Sequence, residues 1–185
     1  MDCYTGCGYL TATSSNLNSW SGTSTVPGGL SDFIRHGTVM KETVAAPTYH
    51  RLTARHSSKC AGVNGGATTD GATVVQQTCG SGTNQQWQFQ DLGNGYYRVL
   101  NRNSGKCLDV TSAAAADGAT VIQWTCNSGN NQQWQLQTAG SYYRLIARHS
   151  GKCLDVSASA TADGAKIHQW TCNSGNNQQW SRPQV

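Results

Sequence analysis

The stretch CLDVTSAAAADGATVIQWTCNSGNNQQW, residues 107–134, decides the fold because the chain contains it three times. Residues 153–180 repeat it closely, and both copies contain SGKCLDV and QWTCNSGNNQQW. Residues 60–87 form a more divergent copy. A unit of this length cannot bury its own apolar side, so we expect the three copies to pack together in one domain.

Each copy has the pattern of several short β-strands. It opens with alternating apolar and polar residues, as in YYRVLNRNSGKC, which is typical of a half-buried strand. An Asp-Gly pair recurs at residues 70–71, 117–118 and 163–164, and this pair favours a tight turn with a positive φ angle. We expect about four strands per copy and about twelve in all. Closed about a pseudo-threefold axis, they form an all-β barrel without exposed edges.

The composition indicates a secreted protein. Charged residues make up 12% of the chain, against about 25% in typical soluble domains, and eight cysteines indicate an oxidising compartment. No apolar run approaches the roughly 20 residues of a membrane span. The net charge of +4 is scattered and does not form a basic stripe, so neither membrane insertion nor nucleic-acid binding is indicated. The first ten residues lack the features of a signal peptide, so we expect a mature form or an excised piece.

The repeat restricts how the cysteines pair. One pair with a separation of 19 residues lies inside each copy, and we predict these three disulfides: Cys60–Cys79, Cys107–Cys126 and Cys153–Cys172. Cys3 and Cys7 are left to pair with each other or to remain free. No second Cys or His lies at zinc-ligand spacing within a copy. The sequence therefore predicts no metal and no cofactor.

The copies also carry a family motif. A Gln-x-Trp ending occurs at residues 85–87, 132–134 and 178–180, together with the internal cysteine pair. With these features, residues 47–182 resemble the ricin B-chain-type β-trefoils, as found in family 13 carbohydrate-binding modules. The resemblance implies a β-trefoil domain over residues 46–185 that binds carbohydrate. Its three repeats span about 47–90, 91–137 and 138–182.

Residues 1–45 lie outside the repeat. GYLTATSSNLNSW and VPGGLSDFIRHGTV in this N-terminal extension resemble the last strands of the propeller in family 43-type glycoside hydrolases, with Arg35–Thr38 as the most specific part. The resemblance implies a remnant of an upstream catalytic domain, which would carry no active site itself. The alternative is a segment that is packed on the main domain or partly disordered.

Comparison of the three copies separates scaffold from site. A position that the fold needs must stay apolar in every copy, and a position that serves only binding can be lost from one copy. By this criterion we assign nine residues to the core, namely Trp87, Trp134, Trp180, Val63, Val110, Val156, Leu52, Val99 and Leu145.

Two positions behave differently. Trp124 and Trp170 correspond to Gln77 in the first copy, and Asp109 and Asp155 correspond to Gly62. Replacement of a core Trp by Gln would lower stability because it would bury a polar amide. We therefore expect both Trp side chains to be exposed and to mark a partner surface. The joint loss of Asp and Trp indicates two binding sites, in the second and third repeats, and a lost site in the first.

These residue types suit sugars. A Trp ring stacks on the apolar face of a pyranose, and a carboxylate accepts hydrogen bonds from two neighbouring hydroxyls. An amide can donate to one hydroxyl and accept from another. Asn131 and Asn177 fit that role, although Asn84 persists in the first copy, so a turn-stabilising role is equally supported. The family resemblance implies that these Asp, Trp and Asn side chains contact the sugar and that Gln132 and Gln178 support the pocket.

Histidines distinguish the repeats. His168 lies two residues before Trp170, where the second repeat has Ile122. We expect His168 to add a hydrogen bond and pH sensitivity to the third site, the alternative being that it only shields the strand. His56 and His149 occupy matching loop positions, with Asn103 as their counterpart, and the sequence suggests no role for them beyond a polar loop.

The sequence therefore predicts a non-catalytic lectin or polysaccharide-binding module for galactose-configured sugars, galactan or xylan. A glycosidase usually needs two carboxylates within about 10 Å, yet Glu42 is the only Glu, and Asp109 and Asp155 lie in different lobes. A trefoil that acts through protein contacts would need a protruding loop, and the uniform repeats show none. The expected partners are glycans or plant or microbial polysaccharide, with an upstream catalytic domain in a longer protein as the alternative context.

Overall fold

The structure is a computed structural model that describes residues 46–185. The expectations for residues 1–45, including the Cys3–Cys7 pair and the propeller resemblance, lie outside this range. The described part is all-β, as predicted, with short 3-10 turns between strands. Its strands are β1 (Tyr49–His50), β2 (Thr53–Ala54), β3 (Cys60–Val63), β4 (Val74–Gln77), β5 (Trp87–Asp91), β6 (Tyr96–Asn101), β7 (Cys107–Val110), β8 (Val121–Trp124), β9 (Gln133–Ala139), β10 (Tyr142–Ala147), β11 (Cys153–Val156), β12 (Ile167–Trp170) and β13 (Trp180–Ser181).

The strand pairing follows a closed circuit. Antiparallel pairs link β1 to β5, β5 to β6, β6 to β9, β9 to β10, β10 to β13 and β13 to β2. Since β1 and β2 are two halves of the strand that is continuous as β6 and β10 in the other repeats, the circuit returns to its start. This division explains why thirteen strands are present where about twelve were expected. Within the described part of the chain no edge of the barrel is left unpaired, which protects it from edge-to-edge association.

Each repeat adds one hairpin to the barrel. The hairpins are β3–β4, β7–β8 and β11–β12, each with four residue pairs in register. The Asp-Gly turns lie between the two strands of each hairpin, and Gly71, Gly118 and Gly164 have φ angles of 82°, 83° and 82°. The predicted turn chemistry is therefore correct, and the hairpins of the second and third repeats carry the candidate Asp and Trp residues.

The core assignments are confirmed. Trp87, Trp134 and Trp180 are at most 1% exposed, and the six smaller predicted core residues are buried with them. A buried indole N–H needs an acceptor, and each one donates to a main-chain carbonyl of its own repeat at 2.9–3.0 Å. The tryptophans therefore close the core without leaving an unpaired donor.

The three predicted disulfides are also confirmed, each inside one repeat. In the loop-entropy picture a cross-link over about 20 residues contributes roughly 3 kcal/mol of stability. Three such bonds are consistent with a secreted protein. No helix among the described residues is long and apolar enough to span a membrane.

Ion pairs join neighbouring repeats at the Asp-Gly turns. The Asp70 carboxylate accepts from Lys106 Nζ at 2.7 Å and from the main-chain N–H of Thr125 at 2.7 Å. The Lys106 ammonium lowers the pKa of Asp70 through this hydrogen bond. The other two turns make the same contact, Asp117 with Lys152 and Thr171 and Asp163 with Lys59 and Thr78. All three interfaces keep this contact, so it belongs to the scaffold.

Candidate functional site

The second repeat contains an open cleft on the outer side of the β7–β8 hairpin. Asp109 on β7 lies directly opposite Ile122 on β8, and Trp124 ends β8 two residues later on the same side. The cleft has a volume of about 290 Å³. Trp124 is 44% exposed, as expected, while Asp109 is only 4% exposed. The ring therefore forms a wall, and the carboxylate lies at the bottom.

Two amides hold the Asp109 carboxylate. Its Oδ2 atom accepts from Asn131 Nδ2 at 2.9 Å and from Gln132 Nε2 at 2.8 Å. Burial raises the pKa of Asp109, while the bonds from Gln132 and Asn131 act in the opposite direction. Its Oδ1 atom has no protein partner among residues 46–185. One oxygen is therefore committed to the protein, and the other remains for a ligand.

The two amides have different roles, and that of Asn131 differs from the expectation that it both donates to and accepts from a sugar. Its Nδ2 atom donates both to Asp109 and to the carbonyl of Val110 at 3.1 Å, so both amide hydrogens are used within the protein. Only its Oδ1 atom remains to accept from a ligand. Gln132 is fully buried, and its side chain also bonds Thr125 O and the Asn127 N–H. Gln132 thus lies where a supporting residue must lie, behind the carboxylate.

The third repeat contains the same arrangement with a different floor. Asp155 Oδ2 accepts from Asn177 and Gln178, both at 2.8 Å. His168 lies opposite Asp155, and its Nε2 atom is 3.0 Å from Asp155 Oδ1. Because a carboxylate can only accept, Nε2 carries the proton. The two clefts therefore differ at Oδ1 of the carboxylate: His168 bonds it in the third repeat, and no group among the described residues bonds it in the second.

His168 also contacts the aromatic wall. Its ring stacks on that of Trp170, with centroids 5.3 Å apart and planes at 24°. Trp170 is 42% exposed and His168 is buried. This cleft, of about 400 Å³, is larger than that of the second repeat. The third repeat thus pairs an exposed indole with a polar imidazole floor, where the second has the apolar Ile122.

A 3-10 turn forms the wall opposite each Trp, and sequence reasoning did not assign it. Residues 111–113 line the second cleft and residues 157–159 line the third. Each wall has two consecutive residues other than Gly with left-handed φ angles between 49° and 53°: Ser112, Ala113, Ala158 and Ser159. Such conformations are unfavourable for residues with a Cβ and occur where the surrounding structure holds them.

Asn127 and Asn173 were also missed. They line the second and third clefts, and Gly80 is their counterpart in the first repeat. The same comparison of copies that singled out Asp109 and Trp124 would have found them, because they show the same pattern of loss.

The first repeat fills the corresponding place with its own side chain. Gln77 Oε1 accepts from Gln85 Nε2 at 3.1 Å and from Asn84 Nδ2 at 3.4 Å, which are the equivalents of the two amides that hold Asp109. A Cβ atom on Gly62 would lie 3.0 Å from Gln77 Oε1 and 2.8 Å from Gln85 Cγ. Gln77 thus takes the position of the missing carboxylate and turns inward, where Trp124 turns outward.

The walls are bonded to side chains from other repeats. His149 Nε2 lies 3.0 Å from the carbonyl of Ala114, which directly follows the wall of the second cleft. His56 Nε2 lies 3.0 Å from the carbonyl of Ala160, which follows the wall of the third cleft. The sequence suggests no role for either histidine beyond a polar loop, so these contacts are a finding of the structure. Among residues 46–185, no three His, Cys, Asp or Glu side chains converge to hold a metal ion.

Comparisons with known proteins agree with this architecture. The profile of the ricin-type β-trefoil lectin domain matches residues 48–180. Among solved structures, the designed threefold-symmetric protein ThreeFoil is 50% identical, with a TM-score of 0.72, over 72% of this chain and 96% of its own. The exo-β-1,3-galactanase 1,3Gal43A from Clostridium thermocellum is 38% identical, with a TM-score of 0.73, over 75% of this chain and 30% of its own. This chain thus spans less than a third of the galactanase.

More distant structures share the fold alone. The Rhizoctonia solani agglutinin is 18% identical, with a TM-score of 0.67, over 75% of this chain and 95% of its own. No curated protein sequence matches the chain. The family of lectin domains whose model matches points to a binding domain. With the profile match covering most of the chain, the protein belongs to the ricin-type β-trefoil lectin family.

Proposed function

We propose that this domain binds galactose-configured sugars or galactan through two clefts, one in the second repeat and one in the third. The observation that carries the proposal is the buried carboxylate next to an exposed indole, present twice on one scaffold. Asp109 is 4% exposed and Trp124 is 44% exposed, and Asp155 and Trp170 have similar values of 3% and 42%. A large exposed aromatic side chain beside a fixed acceptor is costly unless a ligand uses both.

The chemistry of each cleft fits a pyranose. The ring of Trp124 would stack on the apolar face of the sugar, and Asp109 Oδ1 would accept from a hydroxyl in a charge-assisted hydrogen bond. Asn131 Oδ1 would accept from a second hydroxyl. In the third cleft Trp170 and Asn177 take these roles, and Asp155 Oδ1 would accept through the lone pair that its bond to His168 leaves free. His168 offers its Nδ1 atom in addition. Gln132 and Gln178 support the carboxylates from behind.

Similarity to an enzyme of known substrate favours galactose-configured ligands. The galactanase that is 38% identical over most of this chain is an exo-β-1,3-galactanase. Xylan is the alternative polysaccharide that the family resemblance implies, so both polymers belong in the test.

Isothermal titration with galactose and with β-1,3-galactan tests the proposal. We expect two sites in the unmodified protein, one after either Asp109→Ala or Asp155→Ala, and none in the double variant. Trp124→Ala and Trp170→Ala should each weaken one site by about tenfold or more, as expected for loss of an aromatic stacking partner. The matched control is Gln77→Ala, which alters the equivalent position in the first repeat and should leave both sites intact. Absence of galactose and galactan binding, or binding that survives in the double variant, would contradict the proposal.

Two weak sites on one rigid body favour polymers over single sugars. If both sites engage one chain or one glycan-coated surface, the second contact is intramolecular and the apparent affinity rises without new contacts. We therefore expect galactan to bind more tightly than galactose, and we expect that advantage to disappear when either Asp109 or Asp155 is replaced.

A targeting module of a longer glycoside hydrolase is the second candidate. The galactanase is more than three times as long as the part that this chain matches, which shows that such a trefoil exists within an enzyme chain. In that context the domain would hold a catalytic partner on polysaccharide. Co-sedimentation of the isolated domain with insoluble galactan and xylan, without release of reducing sugar, would support this role. Release of sugar would contradict the non-catalytic assignment.

A further inference from the structure

The strained wall of each cleft is fixed by a residue from a different repeat. His149 lies in the third repeat, yet it bonds Ala114 at the end of the second-cleft wall. His56 lies in the first repeat, yet it bonds Ala160 at the end of the third-cleft wall. The contacts thus run in one direction around the pseudo-threefold axis: each cleft is lined by its own repeat, and a histidine of the next repeat bonds the end of its wall.

The hydrogen-bond roles in these contacts are determined by the acceptor. A carbonyl oxygen only accepts, so Nε2 of each imidazole must donate. The Nδ1 atoms of His56 and His149 are buried and have no hydrogen-bond partner. A buried atom without a partner lowers stability, so the fold alone gives no reason to prefer histidine at these positions.

A glutamine side chain also bonds the end of each wall, and we assign this contact, the Gln brace, to the scaffold. Gln169 Nε2 donates to Ala114 O at 2.7 Å, and Gln76 Nε2 donates to Ala160 O at 3.0 Å. The equivalent Gln123 makes the same contact in the first repeat, with Ala67 O at 2.9 Å. This brace is present three times out of three. The histidine bond is therefore an addition, made only at the two walls that line a cleft.

The third wall completes the pattern. Asn103 occupies the histidine position in the second repeat, and it bonds Gly66 O in the first repeat at 2.9 Å. That wall contains Gly65 and Gly66 in the left-handed region, where glycine is under little strain. Where a cleft exists, the wall has side chains in this conformation and a histidine holds it. Where the Asp-Trp pair is lost, the wall has glycines and an asparagine takes the position of the histidine.

We propose that His149 is a positioning residue for the second cleft and His56 a positioning residue for the third, each fixing the wall that faces the Trp ring. This inference rests on the proposed sugar binding at those clefts. Neither histidine touches the sugar. Each limits the motion of two left-handed residues, so that the gap between wall and indole is set before the ligand arrives.

The test uses single-site proteins so that each cleft is read separately. Asp155→Ala leaves the second cleft, and Asp109→Ala leaves the third. Adding His149→Ala should weaken galactose binding about fivefold in the first protein, as expected for loss of one neutral hydrogen bond, and should not change it in the second. His56→Ala should do the reverse. A purely structural role would lower stability without this crossed effect on affinity.

Two further variants sharpen the result. His149→Gln places an amide donor near the former Nε2 atom and should restore most of the affinity of the second cleft. Asn103→Ala removes the equivalent contact at the first repeat and should leave galactose binding at both clefts unchanged. Amide hydrogen exchange provides a readout without sugar, since residues 112–114 should exchange faster in His149→Ala than in the parent protein.

The outcomes separate this inference from the function on which it rests. No galactose binding by either parent protein overturns the proposed function, and this inference falls with it. Binding by the parents that is unchanged in His149→Ala and His56→Ala overturns the positioning role alone. Equal weakening of both clefts by either histidine variant also overturns it, because that pattern indicates a general loss of stability.

Discussion

The first and second repeats have the same scaffold and opposite surfaces. Both retain the cysteine pair, the core Trp, the Gln brace and the Asp-Lys contact to a neighbour. The second repeat presents a carboxylate and an exposed indole, whereas the first presents neither. The comparison shows that the Asp-Trp pair, which we propose binds sugar, can be absent from one repeat of this fold while the Gln brace and the Asp-Lys ion pair that join the repeats remain.

In the first repeat, the residues that replace the Asp-Trp pair form a local structure in which their polar groups are paired. Asn84 and Gln85 keep the amide donors that hold a carboxylate elsewhere, and Gln77 supplies the oxygen that they need. Gly62 makes room for that oxygen. The loss of Asp and the loss of Trp are therefore coupled, because each substitution suits the other.

The largest expected effect tests whether the first repeat contributes as much to stability as the second. Trp87→Ala should lower the free energy of unfolding by about 3–5 kcal/mol, and Trp134→Ala should cost about the same, because both indoles are fully buried and bonded to a main-chain carbonyl. Denaturant unfolding with the disulfides intact measures both. A much smaller loss of unfolding free energy for Trp87→Ala would mean that the first repeat has lost packing in the core as well as the Asp-Trp pair on its surface.

The next effect tests the coupling at Gly62. Gly62→Asp alone should lower stability by about 1–3 kcal/mol, because a buried carboxylate would meet the oxygen of Gln77. Gly62→Asp with Gln77→Trp and Gly80→Asn should recover most of that loss and raise the number of galactose sites from two to three. Thermal unfolding and titration stoichiometry give the two readouts. If the single variant is as stable as the parent, Gln77 does not occupy the carboxylate position as described.

The smallest effect concerns pH. Because burial raises the pKa of Asp109, galactose binding at the second cleft should weaken at a higher pH than the ordinary Asp value of about 3.9, by about tenfold for each unit below the raised pKa. Protonation of Asp109 should not itself lower stability. A raised pKa means that the folded state binds the proton more tightly, so this group's contribution declines as pH rises through the raised pKa and not as pH falls.

Titration of the Asp155→Ala protein between neutral and acidic pH measures this effect. Near-ultraviolet circular dichroism at each pH is the control for folding. Constant affinity down to the ordinary Asp range would show that Asp109 either is not shifted or does not contact the sugar as a carboxylate.

The fold was predictable because the same sequence unit occurs three times in the chain. A feature of one copy that recurs at the same spacing in the others, such as the cysteine pair or Trp134, has to serve a contact that the symmetry repeats. Loss from one copy identified Trp124 and Asp109 by the same reasoning. Asn127 was within reach of that comparison, since Gly80 replaces it in the first repeat.

Other features were not predictable because they depend on direction in space. Nothing in the sequence shows that Gln77 folds inward to take the place of a carboxylate. The contacts of His56 and His149 cross from one repeat to another, so their pattern is displaced by one repeat from the pattern of the clefts. A comparison made copy by copy does not reveal a contact whose two partners belong to different copies.

Closure of the barrel has a consequence for how the chain can be cut and joined. The main-chain N–H of Val185 donates to Tyr49 O at 3.0 Å, and Gln184 forms a bridge with His50, so the chain enters and leaves the trefoil at one point. Within the trefoil, Val185 and Tyr49 lie side by side without a direct chain connection between them. The connections between the other repeats are at near-equivalent positions around the axis. A circularly permuted chain that opens between two other repeats would keep every strand pair, every disulfide and both clefts.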